Sequence, residues 1–442
     1  MMTRIWVLIV AVFVAAGVVE AGGKEGADGV RLSRATGPLR IGIVGLVHGH
    51  VEGLLWNASK RDDITIVGIY EPNTALFERL MEKYNIDPAV RFDSLEKMLN
   101  EAKPEAVSVM SSIKDHLPAV EACAPRGVHV MVEKPLAFSN VDATRMAALA
   151  KQHGILVLTN YETSWYASLR EAKKLIETGG MSPLRKMVFR HGHKGPKEIG
   201  CKPEFLAWLT DPEQNGGGAI VDFGCYGAVL STWLMNGERP TSVVASATTL
   251  KPDVYPKVDD DATIILTYPH ATAVIEASWA WTHDNKEADF YTGKGSIHAG
   301  KWEELSVRSE NQPPKSVQPA PRDFENEWVY LRKVIRGECA VDPLSSLEMN
   351  LVAVEILDEA SVPPGVWKND PIAWGGNQRV NSGKCVSDSS NRMASSGNCR
   401  ANLRLIRSAD SWIGVSGFLI SCAMRRATSP QAAIRCAETS SV

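Results

Sequence analysis

The feature that most constrains the fold is a regular alternation of short apolar strands and helical segments between about residues 40 and 160. Strands that alternate with helices at this spacing pair in parallel and are covered by helices on both faces. The pattern therefore predicts an α/β protein that begins with a doubly wound parallel sheet of the Rossmann type. The predicted strands are rich in β-branched residues: Arg40–Gly45, Ile64–Tyr70, Ala106–Met110, Val128–Val132 and Ile155–Leu158.

After about residue 160 the pattern changes to longer segments in which apolar and polar residues alternate. Such segments are typical of antiparallel strands with one buried face. A last amphipathic segment, Ser346–Ala360, predicts the final helix. We therefore predict a Rossmann domain over residues 39–160 and a second α/β domain, with a large, open and mostly antiparallel sheet, over residues 161–370. Its predicted strands are Met187–His191, Thr241–Thr248, Ala262–Tyr268 and Thr272–Trp279.

The two ends of the chain differ from this core. The N-terminus has the three parts of a secretory signal: a positive charge at Arg4, an apolar run over residues 5–19, and small residues at the cleavage site, Val19 and Ala21. The run is shorter than the ~20 residues that a spanning helix needs. The sequence therefore predicts cleavage of residues 1–21, no membrane span afterwards, and export to the periplasm. Residues 22–38 are predicted to be a flexible leader.

The tail, residues 371–442, has a different composition: its last part, 375–442, contains nine Lys and Arg against three Asp and Glu. It is predicted to be a disordered extension or, alternatively, the product of a shifted reading frame. No function is assigned to it.

Charge and cysteine usage exclude several classes of function. The net charge of −3 provides no basic surface for nucleic acid. None of the eight cysteines forms a C-x-x-C pair with another, so neither a zinc knuckle nor a thioredoxin motif is indicated. His191 and His193 form an HxH pair that would supply only two metal ligands. We therefore predict no metal site and assign both histidines to substrate hydrogen bonding.

Three segments lie where the carboxyl ends of parallel strands place a nucleotide. Gly45 ends the first strand, and the turn that follows would bring backbone N–H groups to a pyrophosphate. The match to G-x-G-x-x-G is incomplete, because Val47 and His50 occupy the later glycine positions. Glu71 ends the second strand, where a carboxylate accepts hydrogen bonds from ribose hydroxyls and repels a 2′-phosphate. NAD is therefore favoured over NADP.

The segment Glu133-Lys134-Pro135 follows the fourth predicted strand at the same edge of the sheet. Asp222 and Tyr226 are four residues apart, so on one helix both side chains would leave from the same face. A phenol beside an ammonium can move a proton while a cofactor takes a hydride. These residues predict an oxidoreductase.

Together these motifs resemble the Gfo/Idh/MocA oxidoreductases over roughly Leu39 to Ala360. The resemblance implies a Rossmann domain, a second domain whose open sheet serves homo-oligomerisation, a nicotinamide cofactor, and a sugar or polyol substrate. Lys134 corresponds to the family's active-site lysine, and Asp222 to the acid one helical turn before Tyr226. Tyr226 resembles the branch that contains glucose–fructose oxidoreductase, dihydrodiol dehydrogenase and xylose dehydrogenase. Further positions implied for the cofactor are Gly45, His48, Gly49, Ser111, Ser112, His116 and Glu133. Apart from the resemblance, the second half is rich in aromatic residues; most are expected in the core, and Trp165 is assigned to the substrate as a stacking surface for a sugar ring.

The resemblance implies that Tyr226 takes the hydroxyl proton as general base, with Lys134 stabilising its phenolate and Asp222 orienting Lys134. Two alternatives stay open. Free NAD is scarce outside the cytoplasm, which is compatible with a glycosidase that keeps its NAD bound. The incomplete glycine motif is compatible with a non-catalytic sugar-binding protein.

Overall fold

A computed structural model describes residues 24–25 and 30–361 of this chain, apart from 34, 323 and 325. The predicted signal segment, residues 1–21, and the predicted tail, residues 371–442, lie outside the described residues. Within the predicted leader, β1 (Lys24–Glu25) pairs with β2 (Arg31–Leu32). Leu32 packs against the apolar core of the first domain, and the Ser33 hydroxyl donates to Glu105 at 2.6 Å. The end of the leader is therefore attached to this domain.

The first sheet is parallel throughout, and its strand order is β5-β4-β3-β6-β7-β8. The order reverses at β3, which is the switch point where open α/β sheets bind ligands beyond the carboxyl ends of their strands. The predicted doubly wound sheet is confirmed. The bounds are β3 Leu39–Val44, β4 Ile64–Tyr70, β5 Arg91–Phe92, β6 Ala106–Val109, β7 His129–Glu133 and β8 Val157–Asn160.

Helices connect these strands, and several begin at side-chain caps that the sequence provides. Asn73 accepts from the Leu76 amide at 3.1 Å, and Ser139 accepts from the Asp142 amide at 3.1 Å. Such caps satisfy the free amides of a first helical turn. Among the described residues no helix is long and apolar enough to cross a membrane. The bounds are α1 Val51–Ala58, α2 Thr74–Tyr84, α3 Leu95–Glu101, α4 His116–Cys123 and α5 Asn140–His153.

The second sheet has the order β10-β11-β12-β9-β13-β14-β15-β16. Only β9 and β12 pair in parallel, so the predicted mostly antiparallel sheet is confirmed. Strands β13 to β16 were not predicted. The bounds are β9 Leu184–Gly192, β10 Ser242–Thr248, β11 Asp261–Thr267, β12 Thr272–Ser278, β13 Asn285–Thr292, β14 Gly295–Ala299, β15 Leu305–Ser309 and β16 Lys315–Ser316.

Helices cover the inner face of this sheet, and one of them returns to the first domain. Every residue of α10 is buried, which explains its apolar composition on all sides. In α11, Trp328 lies in the core of the first domain and its Nε1 donates to Leu54 O at 3.0 Å. The predicted second domain, residues 161–370, includes α11, and its packing against the first domain was not predicted. The bounds are α6 Ala167–Glu177, α7 Pro203–Leu209, α8 Pro212–Asn215, α9 Ala219–Asp222, α10 Gly224–Leu234, α11 Glu327–Ile335 and α12 Leu347–Ala360.

Candidate active site

A buried ion pair joins the carboxyl edge of the first sheet to helix α9 of the second domain. Lys134 directly follows β7, and its Nζ donates to the carbonyl oxygen of Asp222 at 2.8 Å and to the Asp222 carboxylate. The two side chains are 8% and 10% exposed. Burial alone would lower the pKa of Lys134, but the adjacent carboxylate outweighs it and raises that pKa. Burial likewise would raise the pKa of Asp222, yet the ammonium lowers it to about 2. The pair is therefore fully charged.

A second donor fixes the orientation of the Asp222 carboxylate. The indole Nε1 of Trp279, which is wholly buried after β12, donates to Asp222 Oδ2 at 2.9 Å. The two carboxylate oxygens therefore have different partners, Lys134 and Trp279. From the sequence, Trp279 was predicted only as the last residue of a strand and was given no role in the site.

Replacing Trp279 with phenylalanine should lower the rate of a reaction catalysed at this site about 10-fold to 100-fold, because Asp222 and with it Lys134 lose their fixed orientation. It should also lower the free energy of unfolding by about 1–3 kcal/mol, since a buried acceptor is left unsatisfied. Trp328→Phe removes a comparable buried indole bond far from this pair, so it should cost stability without the loss of turnover. Equal turnover in the two variants would contradict a positioning role for Trp279. Initial rates and urea unfolding of both variants give the comparison.

Tyr226 lies close to two ammonium groups. The Nζ atoms of Lys134 and Lys286 are 5.1 and 5.0 Å from the centre of its ring. Tyr161 and His191 contact the ring edge-to-face, at 5.6 and 5.4 Å. The prediction that Asp222 and Tyr226 share one helix was wrong: α9 ends at Asp222, and α10 starts at Gly224. Both side chains nevertheless line the same cavity.

The protonation state of Tyr226 differs from the one expected for a general base. Burial raises its pKa well above 10, and the carboxylate of Glu162 adds to this shift. The two cations lie near the ring and are largely neutralised by Asp222 and by Glu162, which pairs with Lys286. Tyr226 is therefore a phenol that can donate a hydrogen bond.

The cavity that contains these residues has a volume of about 270 Å³ and is lined by residues of both domains. It brings together the predicted Lys134, Asp222 and Tyr226 and also His193. Two further lining residues, Lys286 and His50, were missed in the sequence. Lys286 lies on β13, which was not predicted, and His50 was interpreted only as a missing glycine.

The three predicted substrate residues are not brought together. His193 lines this cavity, and its Nδ1 accepts from the Gly195 amide at 3.0 Å. His191 is buried behind Tyr226. Trp165 lies in a separate cavity of about 370 Å³, where its Nε1 donates to Asn160 at 3.3 Å.

The turn after β3 retains the shape of a nucleotide cradle. Gly45 has φ +79°, and a Cβ there would come within 2.9 Å of the Ser111 backbone, so only glycine fits. The Leu46 amide donates to Glu71 Oε2 at 2.7 Å. The amides of Val47 and Gly49 have no hydrogen-bond partner among the described residues and can receive a pyrophosphate.

Glu71 lies at the end of β4, beside a cavity of about 430 Å³. Burial raises the pKa of its carboxyl group, and bonds from the amides of Leu46 and Asn73 oppose that shift. Gly45 and Ser111 share this cavity, as do the apolar side chains of Leu95 and Ala119. A carboxylate above an apolar pocket at the switch point fits the adenosine of a dinucleotide.

The other predicted cofactor residues have different surroundings. The Ser112 hydroxyl donates to Asp115 at 2.7 Å, and its oxygen lies 3.1 Å from the side-chain amide of Gln214. His116 is buried and its Nδ1 donates to Leu136 O at 3.1 Å. His48 is also buried; it stacks on Trp208. Glu133 contacts His50 and Asn160.

Comparison with known proteins agrees with this arrangement. Residues 39–161 match the family described as "Oxidoreductase family, NAD-binding Rossmann fold", and residues 169–298 match the "GFO/IDH/MocA C-terminal domain". A trans-1,2-dihydrobenzene-1,2-diol dehydrogenase of Xenopus tropicalis is 23% identical over 318 residues, which are 69% of this chain and 91% of the relative. A myo-inositol 2-dehydrogenase of Thermotoga maritima is 23% identical, over 61% of this chain and 77% of the relative.

Solved structures show the same fold. An aldose-aldose oxidoreductase of Caulobacter crescentus superimposes with a TM-score of 0.61 at 23% identity, and the match covers 73% of this chain and 96% of that one. An oxidoreductase of Agrobacterium radiobacter, solved with NAD⁺, superimposes with a TM-score of 0.59 at 16% identity, over 73% and 95% of the two chains.

Proposed function

We propose that this chain, which belongs to the Gfo/Idh/MocA family of NAD-binding oxidoreductases, oxidises a hydroxyl group of a sugar or polyol. Relatives named as dehydrogenases that act on such hydroxyls support an enzymatic function of this class. The observation that carries the proposal is the charged Lys134–Asp222 pair, which shares one cavity with Tyr226 at the nucleotide edge of the Rossmann sheet. No feature of the described residues favours the glycosidase or the non-catalytic alternative.

The residues present can hold a nicotinamide dinucleotide. The free amides of Val47 and Gly49 would bind its pyrophosphate, and Glu71 would accept hydrogen bonds from its adenosine ribose. When bound, the cofactor supplies the hydride acceptor. We propose NAD rather than NADP, because a buried carboxylate at Glu71 opposes a 2′-phosphate.

Lys134 acts as a fixed cation. Two of its three N–H bonds are directed at Asp222, and the third remains for the substrate. Because the Lys134 side chain is only 8% exposed, its fixed ammonium can stabilise the oxygen that gains negative charge as the hydroxyl loses its proton. Tyr226, which keeps its own proton, donates a hydrogen bond to the same or a neighbouring substrate oxygen.

Replacing Tyr226 with phenylalanine should reduce kcat about 10-fold to 100-fold, because one hydrogen-bond donor to the substrate is lost. The dissociation constant for NAD should stay within about 2-fold of the wild-type value, since Tyr226 does not line the 430 Å³ cavity beside Glu71. Tyr161→Phe provides a matched control: Tyr161 is equally buried, touches the Tyr226 ring, and its hydroxyl has no partner among the described residues. Steady-state kinetics and NADH fluorescence titrations compare the variants, and equal kcat in both would argue against the proposed donor.

The function itself is tested by denaturing the purified chain and assaying the supernatant for released dinucleotide, then by following NADH formation with a series of sugars and polyols. Stoichiometric dinucleotide, or saturable binding on addition, together with oxidation of at least one polyol, is the expected result. Absence of both bound and added dinucleotide would overturn the proposal.

We also propose self-association through the second sheet, whose outward face exposes the large apolar side chains of Ile265 (40%) and Tyr291 (45%). Sedimentation equilibrium of wild type and an Ile265→Lys variant would test it. Export remains a prediction from residues 1–21, which the structure does not describe.

A further inference from the structure

His50 and Glu133 form a hydrogen-bonded pair across the carboxyl edge of the first sheet. The Nδ1 of His50 lies 3.0 Å from Glu133 Oε2. Asn160, at the end of β8, donates to the other carboxylate oxygen at 2.8 Å. Glu133 is 1% exposed, whereas the His50 side chain is 44% exposed. A buried carboxylate with both oxygens occupied therefore holds one nitrogen of a ring whose other side is open.

The position of the proton in this pair follows from the charge of Glu133. Burial alone would raise the pKa of this carboxyl group, but the nearby imidazoles of His50 and His48 and the hydrogen bonds outweigh it and lower the pKa below the usual range. An ionised carboxylate only accepts hydrogen bonds, so His50 Nδ1 carries the proton. In the neutral ring Nε2 then has a free lone pair, and it has no hydrogen-bond partner among the described residues.

The open side of His50 belongs to the active-site region. The residue lines the 270 Å³ cavity that contains Lys134 and Tyr226, and also the neighbouring 370 Å³ cavity. It is the N-cap residue of α1, directly after the turn whose free amides would bind a pyrophosphate. His50 therefore lies next to the turn after β3 and also lines the cavity that contains the ammonium groups of Lys134 and Lys286.

We propose that His50, oriented by Glu133, is the base that accepts the substrate's hydroxyl proton. This inference rests on the proposed function. As the substrate O–H bond breaks, its proton forms a bond to His50 Nε2, and the O–H electron pair becomes the second bond of the carbonyl. The C–H bond breaks at the same carbon, and its hydride leaves to the oxidised nicotinamide. The imidazolium is stabilised by Glu133 and releases its proton to solvent through the exposed side of the ring.

The other groups of the cavity do not fit this role. Lys134 is held as a cation by Asp222, and Tyr226 keeps its proton. The Nδ1 of His193 already accepts from the Gly195 amide, so the proton of that neutral ring sits on Nε2. His48 is blocked in the same way, because its Nδ1 accepts from the His50 amide at 3.2 Å.

A metal ion is the competing explanation for these residues. Ligand atoms of His48, His50 and Glu133 lie within 4.8 Å of one another, the one such cluster found in the part of the chain that the structure describes. Two hydrogen bonds already join these residues. His50 Nδ1–H donates to Glu133, and His48 Nδ1 accepts from the His50 amide. A cation would have to displace the first of them, so the proton-transfer assignment explains the geometry without an additional ligand.

The titration of His50 depends on the charges around it. Glu133 raises its pKa above the ordinary 6.5, against burial and against the two lysines of the cavity. The charged and titratable groups that face it from the surrounding elements are Glu133, Glu162, Glu327, Lys134, Lys286 and His48. Because the base must be neutral to accept a proton, oxidation should slow as the pH falls through the pKa of His50.

The first test is the pH profile of kcat/KM for wild type and for His50→Gln, with His270→Gln at an exposed turn as control. We expect a slope of one on the acid side for wild type and the control. His50→Gln should be about 10²-fold to 10⁴-fold slower, should lack that slope, and should bind NAD as wild type does. Added imidazole should restore part of the activity of His50→Ala, which a purely structural histidine would not allow. An unchanged acid limb in His50→Gln, or a loss of activity of wild type in EDTA that Zn²⁺ reverses, would overturn the proposal.

The second test does not need a substrate. In ¹⁵N-histidine-labelled protein, long-range ¹H–¹⁵N spectra should show His50 with Nδ1 protonated and Nε2 bare, and Glu133→Gln should lower its pKa. A His50 ring protonated on Nε2 would overturn the assignment whatever the activity. If no polyol is oxidised although NAD binds and Nε2 is bare, the proposed function fails while the pair stands.

Discussion

Replacing Lys134 with methionine should reduce kcat about 10³-fold while the dissociation constant for NAD changes less than about 3-fold. The ammonium is the only fixed cation that both lines the 270 Å³ cavity and directly follows a strand of the nucleotide-binding sheet, within the part of the chain the structure describes. Loss of one preorganised donor to a developing oxyanion costs about 10²-fold to 10³-fold, and here the donor also carries a full charge. Stopped-flow measurement of NADH formation with the best substrate isolates the chemical step.

The same substitution should also destabilise the fold, and a second substitution separates the two effects. Methionine leaves Asp222 buried beside an apolar chain, and breaking one half of a buried ion pair costs about 3–5 kcal/mol. In wild type the depressed pKa of Asp222 contributes stability above its ordinary pKa of 3.8, and this contribution is lost as the pH falls through about 2. Lys134→Met should therefore lose stability mainly at neutral pH.

Adding Asp222→Asn removes the unpaired charge. The double variant should regain most of the stability in urea unfolding at neutral pH and none of the turnover. If activity returned together with stability, Lys134 would be a structural residue and the mechanism would fail.

The Rossmann half of the fold could be predicted closely, because its signals are local. Strand β4, for example, has the bounds of the β-branched run that predicts it, Ile64–Tyr70. The second sheet was predicted only in part. Strand β13 begins Asn-Lys-Glu-Ala-Asp, and its buried residues Ala288 and Phe290 alternate with charged ones that pair on the outer face. That apolar signal is too short to distinguish from a polar loop, so Lys286 was missed with its strand.

The site shows a similar division. Lys134 was predicted at the right edge because the carboxyl end of a parallel strand follows from strand order alone. Its contact with Asp222 joins residues 88 positions apart and depends on how α9 docks, which no local pattern encodes. His50 was overlooked because comparison with a glycine motif records it as a defect. Its partner Glu133 lies on a strand that becomes its neighbour only through the parallel order of the sheet.

Gly218 directly precedes α9 and fixes its position against Asp259. Replacing it with alanine should lower the free energy of unfolding by about 3–5 kcal/mol. A Cβ at Gly218 would lie 1.8 Å from the carbonyl oxygen of Asp259. The chain must move, although Asp259 binds this segment by three bonds. Its carboxylate accepts from the amides of Gly218 and Ile220, each at 2.7 Å, and its carbonyl from that of Ala219 at 3.1 Å.

Because α9 has only four residues and ends at Asp222, a shift at its start displaces the carboxylate that holds Lys134. Gly218→Ala should therefore lose turnover even under conditions where it is fully folded. Gly53→Ala is the matched control: Gly53 lies within α1, a Cβ there meets nothing within 4 Å, and alanine should raise stability by about 0.5–1 kcal/mol. Urea unfolding and turnover at 10 °C decide the matter. A Gly218→Ala enzyme as stable and active as wild type would mean that Asp259 does not set the position of Asp222, and the ion pair would then need another support.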